Sequence, residues 1–203
     1  KVQNINKPTF KENIHFFFHY QIYWLNLRYL FWNFIGKQNN HHGLGYIESG
    51  NWISGFNTID KHLIGDQSVI PDYYKKNSTN DAYYFIPFIL GIIGLFSLKK
   101  HKHYFWVSLL TFLAFGIGIT IYINPPPTSL LVRERDYIFI GSFILFSVWI
   151  GLSINVIHTL LSKFLNKPNI VTVTGVTLIC LAPLQMLAKG WDNHQRKDDD
   201  FSY

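Results

Sequence analysis

The feature that most constrains this chain is a succession of long apolar runs after residue 81. They are AYYFIPFILGIIGLFSL (82–98), YFWVSLLTFLAFGIGITIYI (104–123), YIFIGSFILFSVWIGLSINVI (137–157) and NIVTVTGVTLICLAPLQMLA (169–188). A helix needs about 20 apolar residues to cross the hydrocarbon core of a bilayer. Four such runs predict an all-α, polytopic transmembrane helix bundle. Composition agrees, because only 15% of the 203 residues are charged and 48% are hydrophobic, against roughly 25% charged in a soluble domain. The net charge is +6, but lysines cluster in short loops between the runs, so a membrane protein is expected and a nucleic-acid partner is not. Pro87 falls near the start of the first predicted helix, whereas Pro183 lies inside the fourth and predicts a kink there. The single cysteine, Cys180, lies within a run, so no intrachain disulfide can form.

Loop charge sets the expected orientation. KKHKH (99–103) and SKFLNK (162–167) carry lysines and no acids, the bias of cytoplasmic loops. Residues 36–81, the RERD loop at 133–136 and the tail from Lys189 then fall on the extracytoplasmic face. The segment 14–36, IHFFFHYQIYWLNLRYLFWNFIG, is aromatic but carries His15, His19, Gln21, Asn26, Arg28 and Asn33. It reads as a helix near the extracytoplasmic interface, where Tyr and Trp concentrate. Residues 37–81 form a polar connection long enough to be functional or ordered by short helices, with DKHLIGDQ a candidate helical turn. The chain thus divides into the interfacial helix and polar loop (1–81), four spans (82–188) and an extracytoplasmic tail (189–203). It begins at Lys1 and ends DDDFSY; both ends look like cuts through a longer polypeptide, so the expectation is a fragment.

Several residues carry candidate chemistry. Asp136 suits a helix start as a cap. Arg133 and Arg135 oppose the dipole of the helix they precede and so need an anionic partner. Glu134 and Asp136 supply one internally; a lipid phosphate gripped through paired hydrogen bonds would supply another. The residues alone leave both open. In WDNHQRK (191–197), Asp192, His194 and Arg196 suit acid–base work or phosphate binding, or else a solvated membrane exit anchored by Trp191. Asp60 and Asp66 are possible general bases if burial tunes them, and solvated loop acids otherwise. His41, His42 and His62 lack the HExxH or CxxC spacing of a metal site, so no metal is expected. Neither a Gly-rich phosphate loop nor GxSxG is present.

The strings YQIYWLNLRYLFWNFIGKQN, GNWISGFNTID, YINPPP, VRERDYIFIGSF and GWDNHQR occur in that order. Together they resemble a family of large polytopic membrane proteins of Bacteroidetes. That family is related to the vertebrate protein O-mannosyltransferase of immunoglobulin-like, plexin-type domains. The resemblance runs from about Tyr20 to Arg196 and looks like the later part of the membrane domain; the PPP at 125–127 departs from the family's looser proline pattern. It implies a glycosyltransferase of the multi-spanning C-type fold, in a bacterial inner membrane with its polar loops in the periplasm. The implied donor is a sugar, expected to be mannose, on a polyprenyl phosphate, and the acceptor a protein Ser or Thr. No further cofactor is implied. The key acid of such enzymes lies in an early extracytoplasmic loop, upstream of the residues matched here, so the isolated fragment is expected to be inactive. On this resemblance Arg133 and Arg135 would hold the leaving phosphate, with Glu134 and Asp136 positioning them. Asn51, Trp52 and Asp60 would line the sugar or acceptor cleft, with His194 and Arg196 as further candidates. A lipid-handling transporter or a non-catalytic membrane subunit is the alternative.

Overall fold

The structure, a computed structural model, describes residues 7–39, 47, 50–69, 81–125 and 136–194. It is mostly helical. The first helix, α1, covers 10–34. Thr9 and Glu12 form its capping box: the Thr9 backbone N–H donates to the Glu12 carboxylate at 2.7 Å, and Glu12 N–H donates to the Thr9 hydroxyl at 3.4 Å. The helix is α-helical over Phe10–His15, widens into a π-helical stretch over Phe16–Leu27, and returns to α geometry over Arg28–Phe34. Its length and aromatic content fit the helix expected at 14–36.

Behind α1 the polar connection folds into a small module. Strand β1 (Gly36–Lys37) pairs antiparallel with β2 (Asp81–Ala82), Gly36 opposite Ala82 and Lys37 opposite Asp81. Trp52 bridges to Lys37. Gly36 has φ +150°, and a side chain there would strike the carbonyls of Asp81 and Ile53, so only glycine closes this join. Helix α2 (Asn57–Ile64) contains the expected DKHLIGDQ turn, which continues into a 3-10 turn at Gln67–Val69. Ile53, Ile64 and Ala82 form the module's own apolar centre.

Five further helices follow among the described residues: α3 (Ile86–Ser97), α4 (Lys102–Ile123, π-helical at Ala114–Gly118), α5 (Asp136–Leu152), α6 (Ile154–Leu161) and α7 (Pro168–His194). Among the described residues three helices are long and apolar enough to cross a membrane: Lys102–Ile123, Tyr137–Leu161 (α5 with α6) and Pro168–Trp191. They are the signature of an integral membrane protein. Pro183 is accommodated inside α7.

The helix within the expected first span, 82–98, is shorter than the run that predicts it. Its α-helical part has 12 residues, about 18 Å at 1.5 Å per residue, against a hydrocarbon core of about 30 Å. The reason is local. Asp81 and Ala82 are committed to the β-pair, and Tyr84 and Phe85 take left-handed φ of 54° and 60°, so the helix cannot begin before Ile86. The other three expected runs are the candidate spans.

Close packing sets the helix directions. Gly91 abuts the Phe146 ring and Gly94 the Trp149 carbonyl, so α3 runs parallel to α5 with its backbone pressed against it. Along α4, Ser108 accepts from Trp149 Nε1 at 2.5 Å while Phe115 lies on Gly141, so α4 runs the opposite way. Gly175 packs on Ile154 and Ile157, and Gln185 Nε2 donates to the Ala82 carbonyl at 3.4 Å, so α7 also descends. Phe146 and Trp149, both almost wholly buried, are the hub, touched by Phe34, Phe88 and Phe112. In lipid such a core is held by packing contacts more than by escape from water. One end of the bundle therefore gathers the β-paired module, the close of α4, the start of α5 and the close of α7. The other gathers Lys99, Lys100 and Lys102 with Lys163 and Lys167.

Candidate functional site

The module end is built around Arg28. Its side chain is only 3% exposed, so a charge has been taken out of water. Trp24, Arg28 and Trp32 recur every four residues and share one helix face. The guanidinium carbon lies 4.5 Å from the Trp24 ring centroid and 5.1 Å from that of Trp32. Nε donates to the Trp24 carbonyl at 3.1 Å and Nη1 to the Gly50 carbonyl at 2.7 Å. The side chain thus ties α1 to the start of GNWISG. Burial pulls its pKa down to about 10, which leaves it cationic at neutral pH.

The GNWISGFNTID segment hangs from this tie. Asn51 Nδ2 donates to Gln38 Oε1 at 3.1 Å, and Gln38 Nε2 donates to the Ile47 carbonyl at 2.7 Å. Asp60, in the first turn of α2, turns its carboxylate back onto its own chain. Oδ1 accepts from Ser54 N–H at 2.7 Å and Ser54 Oγ at 2.8 Å, and Oδ2 accepts from Gly55 N–H at 2.9 Å. The buried carboxylate is fully occupied in shaping the turn. Trp52 packs edge-on against Phe31 and Phe85. Its buried Nε1–H has no hydrogen-bond partner among the described residues. Lys37 and Asp81 form an ion pair at 3.5 Å across the β-pair. Burial, and then the Asp81 charge, push the neighbouring Tyr83 hydroxyl up to about 12.

A second polar knot joins α1 to the close of α4. Gln21 Nε2 donates to Asn124 Oδ1 at 2.6 Å. Asn26 Nδ2 donates both to the Gln21 carbonyl (2.7 Å) and to Thr120 Oγ1 (2.8 Å). Asn124 ends the helix with a left-handed φ of 42°, immediately before Pro125. The α1 carbonyl used here lies five residues back from Asn26, within the widened stretch of the helix.

Of the residues singled out from sequence, Asn51, Trp52 and Asp60 come together in this module. Asp136 opens α5, one turn before Phe139, whose ring centroid is 5.4 Å from that of Tyr29 beside Arg28. His194 closes α7. Arg133, Glu134, Arg135 and Arg196 lie outside the described residues, as do His41 and His42. Among the described residues no three His, Cys, Asp or Glu side chains gather as metal ligands. The sequence reading passed over Arg28 as one polar residue in an aromatic segment. The signal that marks it is the four-residue spacing of Trp24, Arg28 and Trp32, a helical face on which only a planar cation stacks well.

No protein-family model, curated protein or solved structure matches the chain significantly.

Proposed function

We propose that this chain is the later part of a membrane glycosyltransferase. It passes a sugar, mannose in the first instance, from a polyprenyl-phosphate carrier to a protein Ser or Thr on the periplasmic face of a bacterial inner membrane. The observation that carries the reading is convergence. The module holding GNWISGFNTID, the close of the YINPPP helix at Asn124, the start of α5 at Asp136 and the close of α7 at His194 share the end of the bundle opposite the lysines. These are the strings on which the family resemblance rests.

In this reading Arg133 and Arg135 stabilise charge on the departing lipid phosphate, the developing-charge electrostatics that dominates many transfer reactions. The acceptor hydroxyl attacks the anomeric carbon, the carbon–oxygen bond to the lipid phosphate breaks, and the proton goes to a base. Asp60 is occupied by Ser54 and Gly55, and Asp81 is paired with Lys37. On the family resemblance the base lies upstream of the residues matched here, and the module serves as the rigid wall of the cleft. Arg133→Ala with Arg135→Ala in the full-length protein should lower sugar transfer about a hundredfold or more, with membrane insertion intact. Unchanged transfer with normal insertion would sink the assignment and favour a non-catalytic subunit.

A further inference from the structure

At the opposite end of the bundle, the close of α3, the whole of α6 and the start of α7 enclose a groove of about 870 Å³. Its polar lining is Ser97, Lys100, His101, Asn155, His158, Thr159 and Thr172, set between apolar walls that include Phe96, Ile154 and Leu160. The Ser97, Thr159 and Thr172 hydroxyls are turned back onto the carbonyls of Gly94, Asn155 and Pro168. The donors left facing the groove are the Lys100 ammonium, the Asn155 amide and the two imidazoles. None of these has a hydrogen-bond or ion-pair partner among the described residues. Lys99 stands at the rim, its ammonium 4.3 Å from the centroid of Phe96.

Charge decides what fits. No Asp or Glu occurs between Asp81 and Glu134, or between Asp136 and Asp192. The chain itself therefore supplies no anion to Lys99, Lys100, Lys102, Lys163 and Lys167 from either neighbouring loop. Two candidate spans end beside the groove, at Leu161 and Pro168; with those helices across a bilayer, the groove stands at the depth of a phospholipid headgroup. Basic pockets between helices at that depth suit anionic headgroups, with the acyl chains along the apolar walls. We infer that this groove is a binding site for one anionic phospholipid of the surrounding leaflet, its phosphate held by Lys100, His158 and Asn155. The site is remote from the module end and stands whether or not the transfer reading holds.

The test uses the full chain in detergent, equilibrated with vesicles of phosphatidylcholine and phosphatidylglycerol, with retained lipid counted by native mass spectrometry. Phosphatidylglycerol should be retained in preference to phosphatidylcholine. Lys100→Gln combined with His158→Gln should weaken its retention at least about fivefold. Lys189→Gln, an equal loss of charge at the other end, should leave it unchanged. Both groove side chains are exposed, and an unaltered circular dichroism spectrum separates a lost site from a lost fold. Equal retention of the two lipids, or a Lys189→Gln effect as large as the groove variant's, overturns the site. Displacement of the lipid by inorganic phosphate also overturns it, in favour of a soluble anion; so does occupation of the groove by protein instead of lipid.

Discussion

The two ends of the bundle handle polar groups in opposite ways. At the module end the buried polar side chains among the described residues, the Trp24 and Trp52 indoles apart, face internal partners: Asp60 the turn at Ser54, Lys37 the carboxylate of Asp81, Arg28 the Gly50 carbonyl and two indoles, Gln21 the amide of Asn124. At the lysine end the charges point outward, and among the described residues no acid stands beside them. The difference teaches where specificity resides. Saturated buried polar groups fix one geometry, because leaving any of them unpaired is costly. Exposed like charges fix little within the fold, and act instead on the membrane and its lipids.

The largest effect should come from breaking the saturated end at Asp60. Asp60→Ala removes three hydrogen bonds to one carboxylate and leaves the buried Ser54 N–H without its acceptor. A loss of about 3 kcal/mol or more is expected, since hydrogen bonds to a charged group are each worth roughly 1.5–3. Asp60→Asn should cost about half as much, because one amide oxygen replaces two carboxylate oxygens. Thermal unfolding of the detergent-solubilised chain measures both. If Asp60→Ala kept stability within about 0.5 kcal/mol while abolishing sugar transfer, Asp60 would be a catalytic group and the scaffold assignment would fall.

Arg28→Lys comes next. It keeps the charge but cannot span the Trp24 and Gly50 carbonyls while stacking between two indoles, so a loss of about 2 kcal/mol is expected. Indole fluorescence should report the altered surroundings of Trp24 and Trp32. A variant as stable as the parent, with unchanged emission, would show that the stack is incidental to the tie.

What could be read from the sequence follows the same division. Helices α4, α5 with α6, and α7 were legible because a long apolar run has one outcome in lipid, and no tertiary detail is needed to see it. The run at 82–98 starts its helix later than expected because its first residues belong to the β-pair, and pairing with Gly36 across more than forty intervening residues leaves no periodic trace. Asp60 could be picked out as a notable acid, but its task could not, since it depends on a turn folding back over five and six residues. The Gln21–Asn124 contact spans 103 positions and is likewise a product of packing. Of the RERD string, only the backbone of Asp136 falls within the described residues.

A smaller effect is expected where the saturated end meets α4. Asn26→Leu removes the bonds to Thr120 and to the Gln21 carbonyl, at a cost of about 0.6–1.7 kcal/mol, the range for hydrogen bonds between membrane helices. Gln21→Leu with Asn26→Leu should cost less than the sum of the two single changes, because both act on one knot. Strict additivity in unfolding measurements would mean that the two amides act independently and that α1 is not clamped to α4 as a unit. By contrast, Lys99→Gln with Lys100→Gln should change stability by less than about 0.5 kcal/mol. Its effect should appear instead as mixed topology in cysteine labelling, since the lysine bias orients the spans.

The smallest effect tests whether saturation extends to the exposed rim of the module. Asp66 is open to solvent, yet hydrogen bonds from Ser68, and then the Lys61 ammonium at 3.0 Å, hold its carboxyl well below the usual carboxylate range. A carboxylate with a lowered folded pKa contributes stability above its unfolded pKa and loses it as pH falls through the folded value. The turn at Gln67–Val69 should therefore stay intact between pH 7 and pH 5, windows where Asp66 is ionised in both states, and loosen only in stronger acid. Because the group is exposed, salt should weaken the Lys61 contact and leave the bonds from Ser68. Carboxyl chemical shifts of Asp66 across an acid titration read this directly. Ser68→Ala should move the titration upward by more than Lys61→Gln does, since it removes the hydroxyl bond, the strongest single cause, while the Ser68 N–H bond remains in both variants. The reverse order would make the rim an electrostatic surface like the lysine end, and the contrast between the two ends would then stop at the buried residues.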